Sequence, residues 1–420
     1  MRRDRTGEGR TAARDEGRRE FLRCAAGIAG VAAAAGLGGE AHAAGAGVPL
    51  AGPAVGPQVS PDRIPFHGRH QAGIVTPQQL FAGFLAFDVQ AENASQLTEL
   101  FKKVTERARA LVAGTRPEDE ALAADRPGPD SLSITLGVGA SLFDDRFGLT
   151  AQRPRHLKAM PAFPDDRLVP SRSHGDLSVQ ICAQHRDAVV EVMRDLARET
   201  SGLMRLRWRA DGFLNPSRAS GAPRSFVGFK QGIANPDVSS AAERDRLLWV
   251  TPPCGEPDWA IGGCYQVLRL IRFHIEAWDR LPVAAQERIF GRHKASGAPL
   301  GGRDETEVPD FRNDPKGRRI PLDSHVRLAN PRTPATADSL FLRRNYSYDG
   351  GFDKDGRMDL GLAFCGYQQN VERQFAAVQQ RLEREPLAEF VTPVGGGYFF
   401  TLPGVRTDDD WFGSDLLRKA

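Results

Sequence analysis

Cysteine is scarce in this sequence: five occur in 420 residues, with no C-x-x-C pair and no Cys/His cluster, so the spacing matches no zinc pattern. Net charge is scarce too. Lys+Arg number 56 against 53 Asp+Glu, and because residues 1–43 hold 8 and 6 of these, the remainder balances at 48 to 47. Such a near-neutral chain offers no bulk case for nucleic acid or an anionic membrane as partner. The apolar run from Cys24 to Leu37 falls short of the about 20 residues that a membrane span needs. A dinucleotide fingerprint is also missing. Gly137-Val138-Gly139-Ala140-Ser141 follows a strand-like run but lacks the third glycine, and it reads as a strand-end turn. The five tryptophans suit packing, with surface radical transfer as the rarer use.

What is present begins with an address. Arg18-Arg19-Glu20-Phe21-Leu22-Arg23 precedes the Ala/Gly-rich run, and Ala41-His42-Ala43 supplies an A-x-A cleavage site. The paired arginines ahead of a weakly apolar segment resemble a twin-arginine signal over 1–43, which implies the twin-arginine export machinery as a partner and a periplasmic or extracellular destination. A disordered basic tail is the competing reading. Cleavage would remove Cys24 and leave Cys182, Cys254, Cys264 and Cys365. These are either free thiols or, in an oxidising compartment, include a Cys254–Cys264 bridge.

Residues 44–65 read as a Gly/Pro/Ala-rich arm. Beyond it, Gly83 to Val89 is a strand-like run, and Leu97, Leu100, Phe101, Val104, Ala108 and Leu111 share one helical face. Leu132 to Gly137 and Leu177 to Cys182 follow as strands, then a helix bearing Val189, Val192, Met193 and Leu196. That order opens a ferredoxin-like unit. The second half repeats the theme, with strands Tyr265 to Ile275, Met358 to Tyr367 and Tyr398 to Leu402 and a helix bearing Val371, Phe375, Val378 and Leu382. The expectation is an α+β body of two ferredoxin-like halves, 66–220 and 221–420. A long irregular stretch, Ser296 to Pro334, carries His325. Loops of that length are usually functional or disordered.

Three segments carry chemistry: Gly228-Phe229-Lys230-Gln231-Gly232-Ile233-Ala234-Asn235-Pro236, Asp323-Ser324-His325-Val326-Arg327-Leu328-Ala329-Asn330-Pro331-Arg332, and Leu342-Arg343-Arg344-Asn345-Tyr346-Ser347-Tyr348. Singly, a glycine-flanked loop is most often a turn, a lone histidine a satisfied polar residue and an arginine pair a solvated surface. In this order they resemble the dye-decolourising peroxidases, in particular the twin-arginine-exported branch that includes deferrochelatases. The likeness covers nearly all of the chain after the signal. It includes Pro65-Phe66-His67-Gly68-Arg69-His70-Gln71-Ala72-Gly73-Ile74-Val75-Thr76-Pro77, Ser141-Leu142-Phe143-Asp144, Gly291-Arg292-His293-Lys294 and Pro393-Val394-Gly395-Gly396-Gly397-Tyr398-Phe399-Phe400.

The resemblance implies haem b, a dimeric barrel-like body, and His325 as the axial ligand to iron, for which imidazole is the usual donor. Its second ring nitrogen needs a carboxylate or carbonyl to fix its orientation, and Glu389 is the candidate. Arg343 matches the family's distal arginine, a fixed cation for the negative charge that develops as peroxide is cleaved. Asn345 matches a position that lines the distal pocket in some members. Gly232, Ile233, Ala234, Asn330, Pro331 and Arg332 match haem-contacting segments, and a guanidinium such as Arg332 suits a propionate.

One position departs from the family. Its G-x-x-D-G signature reads Gly228-Phe229-Lys230-Gln231-Gly232 here, and an amide can hydrogen-bond peroxide without taking its proton. General acid–base help is worth about 10² to 10⁴ in rate. The implied function is a haem peroxidase, slowed at Gln231, that uses hydrogen peroxide to oxidise organic donors through a ferryl intermediate. The alternatives are a haem-binding protein of iron acquisition that releases iron from haem, and a haem oxidoreductase in which Gln231 is tuned to one substrate.

Overall fold

The computed structural model describes residues 63–114, 130–215 and 221–418; the signal read over 1–43 and nearly all of the 44–65 arm lie outside them. Nine strands form one sheet: β1 (Phe81–Val89), β2 (Ser133–Gly139), β3 (Leu177–Ala183), β4 (Met204–Phe213), β5 (Cys264–Phe273), β6 (Leu342–Arg343), β7 (Tyr346–Phe352), β8 (Met358–Gln368) and β9 (Val391–Thr401). Their order is β5-β9-β2-β3-β1-β4-β7-β8-β6, and a further β5–β8 pairing joins the ends. Apart from β6, which pairs only with β8, the strands therefore close into a ring. Every pairing is antiparallel.

Two sub-sheets are visible in the ring. The order β2-β3-β1-β4 and the order β9-β5-β8-β7 each place the first strand of a half between its third and fourth, the ferredoxin-like arrangement. The seams between them are thin. One seam is a single aligned pair, Phe213 with Ser347; the other runs over three pairs from Gly137–Thr401 to Gly139–Phe399. Closure removes the free strand edges that two separate sheets would expose.

The helices cover the outside. Helix α1 (Ala94–Val112) buries Leu97, Leu100, Phe101, Val104 and Ala108, the face read from periodicity, and Asn93 caps it by accepting from the Gln96 N–H. Helix α2 (Arg186–Glu199) packs beside it, joined by the Arg107–Asp195 ion pair at 2.8 Å. Strand β4, absent from the sequence reading, alternates Arg with Leu and Trp and leaves Arg205, Leu206 and Arg207 outside while burying Trp208. The strand expected at Tyr398 to Leu402 starts earlier, at Val391, and runs through three glycines. Gly396 has φ +115°, and a Cβ there would lie 2.0 Å from the Leu268 carbonyl oxygen, so the run that resembles a turn is a place of close strand packing.

Cys254 and Cys264 are free thiols, as are Cys182 and Cys365, so of the two readings the free-thiol one holds and the Cys254–Cys264 bridge is not formed. Cys264 opens β5 with its side chain fully buried in the ring, where burial pushes its thiol above the ordinary cysteine range. Cys254 sits in a half-buried turn against Thr251.

Candidate functional site

Strand alternation sends one face of β5 inward and the other outward. Leu268 and Leu270 belong to the core inside the ring, whereas Arg269, Ile271 and Phe273 line a cavity of ≈ 290 Å³. From β8, Leu362 and Phe364 join that lining. Loops and short helices complete the walls.

His325 is the first residue of helix α3 (His325–Ala329), whose N-cap is Ser324. The irregular stretch ahead of it is pinned in place. The Asp314 carboxylate accepts from the backbone N–H groups of Arg318, Arg319 and Ile320, bonds that hold it below the usual carboxylate range, and Arg327 of α3 donates to the Asp314 backbone oxygen at 2.8 Å. Gly291, at φ +88°, follows helix Val283–Phe290. A Cβ there would meet Val326 at 2.5 Å, so glycine is what lets the two elements touch. The His325 ring lies 5.3 Å from the Phe290 ring.

Behind His325 the partner is Glu385, not Glu389. Nδ1 of His325 faces both carboxylate oxygens, at 2.8 and 3.1 Å. Glu385 is 8% exposed and sits immediately before the turn that begins at Pro386. Four residues on, Glu389 is exposed to solvent at the far end of that turn. Of the two glutamates flanking this proline-initiated turn, only the one ahead of Pro386 lines the cavity. With Nδ1 turned to the carboxylate, Nε2 has no hydrogen-bond partner among the described residues.

Gln231, Gly232, Ile233, Ala234, Asn330, Arg332, Arg343 and Asn345 all line the same cavity as His325; Pro331 and Glu389 do not. The buried Oε1 of Gln231 has no hydrogen-bond partner. Asn345 receives the Cys365 N–H at 3.1 Å. Arg344, the second arginine of the pair, turns away into the ring, where it donates to the Thr76 carbonyl and to Gln79.

Sequence reasoning assigned no role to Asn235, although it lies within the quoted glycine-flanked segment. Its Oδ1 accepts from the backbone N–H and from Nε of Arg343, both at 3.1 Å, and its Nδ2 donates to the Arg343 carbonyl at 2.9 Å. Three bonds thus fix Arg343 to the loop that carries Gln231. Burial pushes the Arg343 guanidinium down to about 10, although the residue keeps some accessible surface, because that surface faces the cavity and not bulk water. Arg292, also missed, is 6% exposed and is pushed down to about 10 by burial and by repulsion from Arg332 and Arg343. Arg332 is exposed while lining the cavity, which places it at the opening.

This arrangement belongs to a known class. Residues 71–214 match the model of the Dyp-type peroxidase N-terminal region and residues 222–406 that of the C-terminal region, so the chain belongs to the Dyp-type peroxidase family. The deferrochelatase of Escherichia coli strain K12 is 46% identical over 376 residues, covering 86% of this chain and 89% of that protein. Among solved structures, DtpA of Streptomyces lividans, in an oxyferrous/water mixed complex, matches with TM-score 0.78 and 34% identity over 84% of this chain and 97% of that one. A DyP-type peroxidase of Cellulomonas bogoriensis matches with TM-score 0.76 and 35% identity, covering 84% and 98%.

Proposed function

We propose that the chain is a haem-dependent peroxidase whose iron ligand is His325. The observation that carries the reading is the His325–Glu385 pair, an imidazole with one nitrogen held by a buried carboxylate and the other free to ligate, at the wall of a largely apolar cavity. The donor set fits the group. Ile271, Phe273, Leu362 and Phe364 suit a flat apolar macrocycle, Arg332 at the opening suits a propionate, and the unpartnered Oε1 of Gln231 is an acceptor left for a polar ligand.

A bound haem supplies the redox chemistry, taking oxidising equivalents from hydrogen peroxide and passing them to an organic donor. The chain's own contributions follow from the residues. Glu385 orients His325 and raises its basicity. Arg343, preorganised by Asn235, presents a fixed cation to negative charge that develops on peroxide oxygen. Gln231 can donate or accept a hydrogen bond but cannot carry a proton away, so proton transfer at this position is slow. Asn345 adds a polar group to the same wall.

A second reading has two supports: the curated relatives named deferrochelatase, and the lost carboxylate at position 231. In it the protein serves iron acquisition, taking iron from haem with little peroxidase turnover. In both readings the segment 1–43 directs export by the twin-arginine route to the periplasm or beyond. Among the described residues no helix is long and apolar enough to cross a membrane.

The test is spectroscopic. Purified protein is expected to show a Soret band, and His325→Ala to lose most of it; full haem occupancy with an unchanged spectrum in that variant would refute the ligand assignment.

A further inference from the structure

Residues 301–309 lie one layer deep between solvent and the cavity. Arg303, Asp304, Thr306, Glu307 and Val308 are exposed, whereas Pro309 lines the cavity and the Glu305 side chain is 12% exposed. No helix or strand runs through this segment, so its hydrogen bonds decide what holds it in place. Most of them close on the segment itself. The Glu307 carboxylate accepts from the N–H groups of Arg303 and Asp304, and the Asp304 carboxylate accepts from both donors of Thr306. Gly302 reaches back only to Pro299. Among the described residues, every longer-range bond of the segment is made by Glu305. Its carboxylate pairs with Lys230 and accepts from the Ala222 N–H at 3.0 Å, and its carbonyl accepts from Arg292 at 3.0 Å.

We infer that residues 301–309 are a hinged cover at the mouth of the cavity, clasped by Glu305, and that the clasp sets how readily a porphyrin, the ligand of the proposed function on which this reading rests, enters and leaves. The wall that receives the clasp is anchored. Lys230 follows Phe229, which is 1% exposed and stacks on Phe290 with ring centroids 4.0 Å apart, and Trp278 donates to the Val227 carbonyl at 3.1 Å. The cover has no such anchor. Gly301 and Gly302 open it, and two glycines readily absorb the backbone rotation of a hinge. Arg292, which donates to the Glu305 carbonyl, is also close enough to Arg332 at the opening to be repelled by it, so the clasp and the entrance adjoin. Charge gives the clasp its strength. The Lys230 side chain is 10% exposed and has no other ion pair among the described residues, so neutralising Glu305 strands a buried ammonium and disfavours the closed state. A segment tied to the rest of the chain through one residue opens locally, without unfolding the body beneath it.

Two rates are measured on the full-length mature protein: loss of bound haem to excess apomyoglobin, and tryptic cleavage after Arg303, an exposed site within the cover. Glu305→Gln should raise both about tenfold or more, because each tracks the population of the open form. The Soret band of the haem still bound should not move, since His325 and Glu385 are untouched. Lys230→Met, which removes the cation and keeps the Ala222 bond, should match it and is the second route to the clasp. Glu307→Gln, whose bonds stay inside the cover, should remain within about twofold of the parent protein in both rates. Parent-like haem loss in both clasp variants would overturn the inference. So would faster haem loss without faster cleavage at Arg303, which means another exit, or a shifted Soret band in both clasp variants, which places the effect at the iron ligand. Cleavage needs no chromophore. Protein that takes up no haem, yet is cut faster at Arg303 in Glu305→Gln, would refute the haem reading and keep the cover.

Discussion

Replacing Glu385 by Gln keeps the shape behind His325 and removes the charge. In the parent protein Nδ1 donates to a carboxylate at 2.8 Å, with the second oxygen at 3.1 Å. A hydrogen bond to a charged group contributes about 1.5–3 kcal/mol and a neutral one about 0.5–1.5. The amide should therefore forfeit about 1–2 kcal/mol of the support that Glu385 gives to the electron-rich imidazole, a factor of roughly 5 to 30 in the balance between ferric and ferrous iron. For a one-electron couple tenfold is about 59 mV, so the midpoint potential should rise by about 40–90 mV. The carboxylate favours the ferric state, which fixes the sign. Spectroelectrochemistry on the haem-bound variant reads the shift, and titration of the apoprotein with haem reads the accompanying loss of affinity. Glu389→Gln is the control: an exposed side chain at the far end of the turn should leave both quantities unchanged. A parent-like potential in Glu385→Gln, or a shift in Glu389→Gln of the size expected at 385, would refute the argument from geometry.

Gln231→Asp should accelerate the peroxide-driven change in the Soret band by about tenfold or more, measured by stopped flow, because it places a proton acceptor beside Arg343; an unchanged rate would show that another group moves the proton. Arg18→Lys combined with Arg19→Lys should leave the precursor in the cytoplasm, and fractionation that finds undiminished export would exclude the twin-arginine assignment. Asp166→Asn should cost about 3–5 kcal/mol in denaturant unfolding, since it strands the Arg269 guanidinium at 1% exposure; a loss below about 1 kcal/mol would show that stacking of Arg269 on Phe163 and Phe375 suffices to hold the charge.

Much of the fold was legible because its elements carry strong periodicity. The apolar face of α1 and the buried runs of β1, β2 and β3 are written directly in residue spacing. Strand β4 was not, since arginines on its outer face break the apolar count, and β7 was hidden within a segment read for its chemistry. Ring closure was expected only through the family resemblance, which implied a barrel-like body, and residue spacing did not show it. A seam made by the single pair Phe213–Ser347 leaves no pattern that a local window can detect. At the site, the family resemblance selected His325, Arg343 and the Gly232–Ala234 loop, all of which line one cavity. The residue behind the ligand was misplaced by four positions, because Glu385 lies 60 residues from His325 and composition alone cannot tell which of two glutamates a proline-initiated turn aims inward. Arg292 and Asn235 act through charge and hydrogen bonds that exist only once the loops have met.

The cavity lining carries groups of opposite charge, Glu385 and Arg343, each anchored by its own partner. Glu385 lends negative charge to the imidazole from a buried position that water cannot screen, while Arg343 holds positive charge in place through Asn235. On the proposed reading a ligand in the cavity would feel electron donation through His325 and attraction for developing negative charge from Arg343, the polarisation that heterolytic cleavage of an O–O bond requires. Neither group depends on residue 231. With an amide where the family's signature has a carboxylate, the proposed site would keep the field that polarises peroxide and lack the carrier that removes its proton. On the proposed reading such a cavity would polarise an oxygen ligand while lacking a proton carrier at position 231, and both the peroxidase and the iron-acquisition readings need that field.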